Sequence, residues 1–379
     1  MLYYQTRLSS IRFSFWRRII NTDAALYYKR AKALLLPVEP KPEVYGFELK
    51  ISNRHYLFYN NDTPFNNSSS SFIAINKYCT NQILAAANIP VPKGILFHTT
   101  DLEHDSLENI IANLRFPLVI KPADGSLGMG VLCNIKTFDE LSFFLKQYCS
   151  VYPSMIIEEF YGNLQSYRVL VFNRKIIGVV LCQPARVLGD GKHTIQELIE
   201  LTNTKRKEIS DSLDPIVLDD ECQLRLKELG IDQSYIPASG ETIVLCYTSN
   251  PTRGGSYESV DLKICKENRK IITKAAKVLN LKLAGIDIEC TDINTPFSLS
   301  QGVILDVNHR PSMLIHELPI NGKPQPVTKK IMKSFIFRHP FTYLYSLYSN
   351  RSTSFYMRAL TVSLIAALIY WFAYQYFEG

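Results

Sequence analysis

The chain has 379 residues, 46% apolar and 20% charged, which is enough to bury a core in two or three domains. That profile excludes a disordered tail protein, a collagen and a small disulfide scaffold. The net charge of +7 sits at the ends: residues 1–32 hold seven bases and one acid, residues 323–358 hold seven bases and no acid, and acids outnumber bases in between. A nucleic-acid partner, which usually meets basic residues on the folded body, is not expected.

In chain order, SSIRFSFWRRIINTDAALYYKRAKALLL (residues 9–36) mixes aromatic and aliphatic residues with Arg and Lys. It reads either as a basic amphipathic helix on an anionic membrane surface or as a helix packed on the body with a solvated basic face. Met1–Phe15 has neither an uninterrupted apolar core nor a small-residue cleavage site, so no secretory signal is expected. Pro37, Pro40 and Pro42 mark a break. NNDTPFNNSSSS (60–71) reads as a loop, with Ser70 or Ser71 capping one helix over FIAINKYCTNQILAAAN (72–88) that IPVP stops.

The strand GILFH, a helix near 104–114 and the strand FPLVIKP follow. Next come a glycine loop, the strand VLCNI and the helix TFDELSFFLKQYC. SMIIEEF, YRVLVF and KIIGVVLCQ form a strand-rich stretch. Helices are expected near 194–204, 218–229 and 266–280, and the strands LAGIDIEC and GVILDVN close the body. This mixture indicates an α+β fold in more than one lobe. Eight cysteines without a CxxC or a Cys/His cluster, most in apolar runs, fit buried free thiols in a reducing compartment.

Residues 359–377, ALTVSLIAALIYWFAYQYF, carry no charge and as a helix would span about 28 Å, close to a bilayer's hydrocarbon core. Aromatic residues cluster near the far end, bases precede the segment, and Glu378 follows it. The expectation is a single-pass C-terminal transmembrane anchor with the body on the cytoplasmic side. The other reading is a helix buried in the body, although this one lacks a polar face.

Two constellations bear on chemistry. KPADGSLGMGV (121–131) sets Gly125, Ser126, Gly128 and Gly130 after a strand, where main-chain amides can approach phosphate oxygens. It is neither a Walker loop nor a Rossmann turn, and alone it could be a plain hairpin turn. Lys121 at the end of the preceding strand supplies an ammonium beside it. Near the C-terminus, Asp287 and Glu289 share one strand face, as do Asp306 and Asn308, and a connection of about a dozen residues could bring the faces together. Such hard oxygen donors suit Mg²⁺ held with nucleotide phosphates, the alternative being two edge strands with polar outer faces.

FPLVIKPADGSLGMGV, IIEEFYGN, YRVLVFNRKIIGVVLCQPARVLGDGKHTIQELIELTN, AGIDIEC and GVILDVNHRPSMLIHELP together resemble the ATP-grasp superfamily. The nearest branch is the ligase region of cyanophycin synthetase and of the bifunctional glutathione synthetase, over about 72–335. The resemblance implies two α+β lobes holding ATP between them, and an ATP-dependent carboxylate–amine ligase working through an acyl phosphate on small-molecule carboxylate and amine substrates of the amino-acid or peptide class. It implies Lys77 and Lys121 on ATP phosphates, the 124–130 loop over them, and Glu158, Glu159 and Phe160 as the adenine hinge. It also implies Asp287, Asp306 and Asn308 on two Mg²⁺ (or Mn²⁺), and Arg168, Arg186, Arg253 and Lys192 on the substrate side. His193 beside Lys192 also reads as an ordinary surface histidine.

Three features depart from the family pattern: Asp306 where relatives carry Glu, the Gln165–Ser166 pair where relatives carry a ribose-binding acid, and Arg253 in NPTRGG where a small residue is usual. They leave an alternative, a catalytically impaired ATP-binding membrane scaffold or sensor. No counterpart of cyanophycin synthetase's second ligase domain follows, so full polymerisation is not expected. The expected organisation is a basic N-terminal region to residue 71, a ligase domain over 72–335, a basic linker over 336–358 and an anchor over 359–377. A homo-oligomer is left open.

Overall fold

The computed structural model describes residues 23–125, 128–209, 213–261 and 263–378. Two compact units emerge: Phe65–Gln325 is one, and the residues before Phe65 form the other with those from Pro326 onward.

Within the first unit, five antiparallel strands make one sheet: β12 (Ser256–Ser259), β9 (Lys175–Gln183), β8 (Gln165–Phe172), β13 (Leu283–Cys290) and β14 (Val303–Asn308), in that spatial order. Alternation along β8 sends Tyr167, Val169 and Val171 into a buried core with Ile286, Ile288 and Val307. Helices Lys77–Ala86 and Lys266–Val278 add Leu84, Ile272, Ala275 and Ala276 to that core. The opposite face is left for Arg168, Asp287 and Asp306, which the strand register aligns side by side.

A second sheet runs β4 (Gly94–His98), β7 (Ser154–Glu159), β5 (Leu118–Pro122), β6 (Leu132–Ile135). Helix Phe138–Tyr148 packs on it through Leu141 and Leu145, its N-terminus capped by the Thr137 hydroxyl, which accepts from the Glu140 amide at 3.2 Å. A third small core joins β10 (Arg186–Leu188) and β11 (Thr242–Val244) to helices Ile195–Ile209 and Asp220–Glu228. The two expected α+β lobes are present.

Several elements differ from expectation. The helix expected over 72–88 is two, Ser68–Ile75 and Lys77–Ala86. The Asn67 side chain caps the first on the Ser70 amide at 2.8 Å, so Ser70 lies inside the helix and is not its cap. The Asn76 side chain then accepts from the Cys79 amide at 2.9 Å and starts a new N-terminus. An asparagine in mid-segment thus offers the backbone a local alternative to continuing. The helix near 104–114 contracts to Leu107–Ile111 behind a 3-10 turn at Thr99–Glu103. The connection between β13 and β14 contains a helical turn, Phe297–Ser300.

In the second unit, helix Asp23–Ala33 and the sheet β1 (Val38–Lys41), β2 (Gly46–Ile51), β3 (Arg54–Tyr59) surround an aromatic core. Phe47 stacks on Phe58 at 4.5 Å, Tyr27 lies 5.2 Å from Phe58, and Phe335 of helix Val327–Arg338 closes the group, 4.9 Å from Tyr56. Over Asp23–Ala33 the basic N-terminal segment packs on this body through Ala24, Tyr27 and Ala31; residues 1–22 lie outside the described residues. Helices Pro340–Ser349 and Ser354–Glu378 complete the unit. All eight cysteines are free thiols, five of them buried, with Cys79 exposed.

Candidate active site

β5 delivers Lys121 into a site 7% exposed, and its Nζ donates to Glu158 Oε1 at 2.6 Å. Glu158 stands on the adjoining strand β7, so two apolar strands present one cation and one anion to each other. Glu158 Oε2 is buried without a hydrogen-bond partner, an orphan acceptor beside the lysine. Lys77 opens its helix immediately after the Asn76 cap, and its Nζ donates to Asp306 Oδ2 at 2.5 Å.

Asp306 faces Asp287 across the β13–β14 pair, and Asp287 faces Arg168 across β13–β8. Arg168 grips Asp287 with two donors, Nε on Oδ1 and Nη2 on Oδ2 at 2.8 Å, while Asn308 Nδ2 donates to Asp287 Oδ2 at 3.1 Å. The electrostatic reach of these groups joins them into one cluster. Lys77 feels Asp306, Asp287 and Glu158, and Asp306 feels Lys77, Lys121 and Arg168.

Burial and pairing oppose each other here. Burial pushes the Lys77 ammonium down, but the Asp306 carboxylate outweighs it and the pKa rises. Burial pushes Asp306 up, and Lys77 outweighs that, so the carboxyl titrates below its ordinary range. At Asp287 burial wins over Arg168 and the pKa is raised. Glu289 is pushed up to about 7 by burial, eased by a hydrogen bond from Ser166 and reinforced by Asp287.

A second cluster lies beside the glycine loop. Arg253 Nη1 donates to Glu221 Oε2 at 2.6 Å and to the Gly128 carbonyl at 3.2 Å, and Nη2 donates to Asp219. Glu221, 1% exposed, also accepts from the Tyr247 amide, the Thr248 amide and the Thr248 hydroxyl at 3.0–3.1 Å. Gly128 has φ +74°, and a Cβ there would lie 3.1 Å from Arg253 Cδ.

The remaining expected residues are spread wider. Gly125 and Gly130 flank the loop, and Ser126 lies outside the described residues. Phe160 packs edge-on against Tyr247 at 5.0 Å. Glu159 turns away from Lys121 and accepts from the Arg115 amide at 3.2 Å. The hinge amides are already used, Glu159 N–H by the Lys93 carbonyl and Phe160 N–H by the Pro117 carbonyl, both at 2.9 Å. Arg186, exposed on β10, donates to Gln183. Lys192 is exposed, and Asp190 Oδ1 accepts from its amide and from that of His193.

Sequence reasoning overlooked Glu221 and Asp219 as the seat of Arg253. Their only local signal is the acidic run Asp219–Glu221 where the helix Asp220–Glu228 opens, which reads as an ordinary helix N-terminus, and Asp219 does cap it on the Cys222 amide.

Asp287, Asp306 and Asn308 supply two carboxylates and an amide oxygen. Among the described residues no group of three or more His, Cys, Asp or Glu side chains is placed to hold a metal alone. This donor set fits Mg²⁺, which is commonly held by one or two carboxylates together with substrate phosphates.

The two antiparallel sheets and their cluster of cationic and anionic side chains belong to an ATP-grasp fold, as the structural likeness and the family-model match show. The bifunctional glutathione synthetase from Pasteurella multocida has the same fold, with a TM-score of 0.55 at 23% identity over 82% of this chain and 44% of that one. Residues 74–252 match the family model of the RimK-like ATP-grasp domain. The chain is 33% identical over 263 residues to cyanophycin synthetase from Trichormus variabilis, covering 69% of this chain and 29% of that protein. It is 35% identical over 266 residues to the enzyme of that name from Crocosphaera subtropica, covering 69% and 30%. The glutathione biosynthesis bifunctional protein of Enterococcus faecalis is 29% identical over 331 residues, covering 83% and 42%. The chain therefore spans about three-tenths of the length of the cyanophycin synthetases it matches.

Proposed function

We propose that this chain is an ATP-dependent carboxylate–amine ligase acting on amino-acid or peptide substrates. The observation that carries the reading is the single cluster of Lys77, Lys121, Arg168, Asp287, Asp306 and Asn308, which belongs to a fold that holds a nucleotide between its lobes. Lys121 and Lys77 are positioned for phosphate oxygens, each held in reach by an acidic partner that it can share with the ligand. Bound Mg²⁺ on Asp287, Asp306 and Asn308 would neutralise charge on the transferring phosphoryl group.

The substrate carboxylate takes the γ-phosphoryl group to give an acyl phosphate and ADP. The amine then attacks the carbonyl carbon, phosphate leaves, and the nitrogen loses its proton. Arg168 stays fixed by its two-pronged grip on Asp287, so it orients the carboxylate pair and presents positive charge toward the acyl phosphate. The hinge carbonyls, with Phe160 against Tyr247, form the adenine side. Arg186 and Lys192, exposed and outside the cluster, are assigned to the substrate entrance.

The helix Ser354–Phe377, 24 residues long and unburied, is assigned as a membrane anchor. The bases before it assign the ligase domain to the cytoplasmic side.

The test is phosphate release by the full chain in a neutral detergent with ATP and Mg²⁺, across pooled amino acids and dipeptides. Release is expected to need both an acid and an amine, and to disappear in Lys77→Met. Absence of release with every pair, together with absence of ATP binding, would refute the reading.

A further inference from the structure

The second unit leaves a charged and an apolar surface that the ligase site does not use, and both gather where its body meets the C-terminal helix. The helix Pro340–Ser349 contains no charged residue and buries none of its ten residues. One side is held to the body: Thr342 Oγ1 lies 2.6 Å from Ser52 Oγ, and the Tyr343 hydroxyl donates to the Leu34 carbonyl at 2.8 Å. The other side exposes Phe341 at 84%, Leu344 and Tyr345, with Phe337 exposed one turn earlier. Clustered aromatic side chains turned outward from an uncharged helix are costly in water and favourable at a bilayer interface.

One contact links that helix to the C-terminal one. The Tyr348 hydroxyl meets the Thr361 hydroxyl, and Thr361 is the third residue of the uncharged stretch that begins at Ala359. When that stretch spans a bilayer, Tyr348 lies at the edge of the hydrocarbon, and Arg351 and Arg358 lie in the headgroup layer. No acidic residue occurs between Glu317 and Glu378. The guanidinium groups of Arg338, Arg351 and Arg358 make no ion pair or hydrogen bond among the described residues, and neither does that of Arg54.

An open cleft of about 550 Å³ lies between the β2–β3 turn and the side of the helix Pro340–Ser349 that carries Thr342, Tyr345 and Ser346. Lys50, Ser52, Asn53 and Arg54 line one wall, and Ser349 and Asn350 line the other. Lys50 is already shared with Glu39 at 2.7 Å and Glu48 at 3.5 Å, and His55 lies 2.6 Å from Glu48, which leaves Arg54 as the lining cation without an acidic partner among the described residues. The exposed lining is mostly apolar, as the acyl end of a lipid would need, and within it the Ser349 hydroxyl, the Asn53 amide and the Arg54 guanidinium are donors that a phosphodiester can accept from.

We propose that this surface is an interfacial foot on which the chain sits, and that the cleft binds the phosphate of an anionic phospholipid headgroup. Phe337, Phe341 and Leu344 enter the acyl boundary, and Arg338, Arg351 and Arg358 meet neighbouring lipid phosphates. The proposal rests on the anchor reading above and would make the ligase domain selective for membranes with a negative surface.

The full chain, purified in a neutral detergent, is equilibrated with equal amounts of phosphatidylglycerol and phosphatidylcholine, washed, and its retained lipid measured by mass spectrometry. The expected result is enrichment of phosphatidylglycerol by about five-fold, the effect of roughly one cation at an anionic surface. Arg54→Gln is expected to remove most of that enrichment, Arg54→Lys to keep it, and Lys207→Gln in the other unit to leave it unchanged. Equal retention of the two lipids, or enrichment untouched by Arg54→Gln combined with Arg351→Gln, would overturn the proposal. Displacement of the retained lipid by millimolar inorganic phosphate would overturn the lipid as the source of the phosphate. Release of the chain from membranes by alkaline carbonate would instead overturn the anchor reading, a separate outcome.

Discussion

Lys121 and Glu158 are 9% and 5% exposed at their side chains and 2.6 Å apart, so replacing Lys121 by Met leaves a carboxylate in a dry site without its ion-pair partner, with Lys77 felt only at longer range. Removing one partner of a buried pair costs about 3–5 kcal/mol, because the remaining charge keeps its desolvation penalty. The Glu158 Oε2 atom, which has no hydrogen-bond partner, gives the stranded carboxylate little relief. At about 2–4 °C per kcal/mol for a domain of this size, the melting transition of the ligase unit should fall by roughly 6–20 °C. The double variant Lys121→Met, Glu158→Leu places apolar groups of similar volume in the strands and should recover at least half of the loss. Thermal unfolding of the full chain in detergent, followed by near-UV circular dichroism, measures both. ATP affinity should be lost in the single and the double variant alike, so stability and nucleotide binding separate. A single variant that melts within about 2 °C of wild type, or a double variant no more stable than the single, would refute the buried-pair reasoning.

Asp306 supplies a pH signature. Its folded pKa is lowered because Lys77 outweighs burial, so its stabilising contribution is complete above the unfolded value near ~4 and is lost as pH falls through the folded value. Acid unfolding followed by fluorescence should therefore be shallower below about pH 4 in Lys77→Met than in wild type, and equal slopes would contradict the pairing. His193 has the opposite sign. The side-chain hydrogen bond to Asp190 raises its pKa, so that contribution is present below about 6.5 and is lost as pH rises through the folded value. An NMR titration should place its midpoint above 6.5, with Asp190→Asn returning it toward the ordinary value. At Gly254, φ is +83° and an added Cβ would lie 2.4 Å from Ile216 Cγ1. Gly254→Ala should destabilise the unit by more than about 2 kcal/mol in chemical denaturation, where a surface glycine such as Gly240, with nothing within 4 Å of its Cβ position, should cost about half as much.

The strands that carry the site were legible because their chemistry repeats every two residues. LAGIDIEC and GVILDVN alternate core aliphatics with polar residues, so Asp287 shares a face with Glu289 and Asp306 with Asn308, and β13 and β14 form where that pattern places them and pair Asp287 with Asp306. Lys121 was legible as a cation ending an apolar run. The three strands before Tyr59 were not, because VEPK and RHYLFY carry proline and charge inside short segments whose alternation is weak. The division of the helix at Asn76 also escaped, since a capping asparagine and an interior one look alike until the backbone chooses.

Sequence alone thus determined the strands that carry the site, the acids that share a strand face, the uncharged C-terminal stretch and the resemblance to an ATP-grasp ligase, all of which rest on local periodicity or contiguous motifs. The tertiary structure decided which charges meet. Lys121 finds Glu158 across 37 residues, Lys77 finds Asp306 across 229, and Arg253 settles on Glu221 across 32. Those partnerships have no local signature, because a charge is paired by whatever the folded backbone brings within about 4 Å of it, and burial makes that choice energetically decisive.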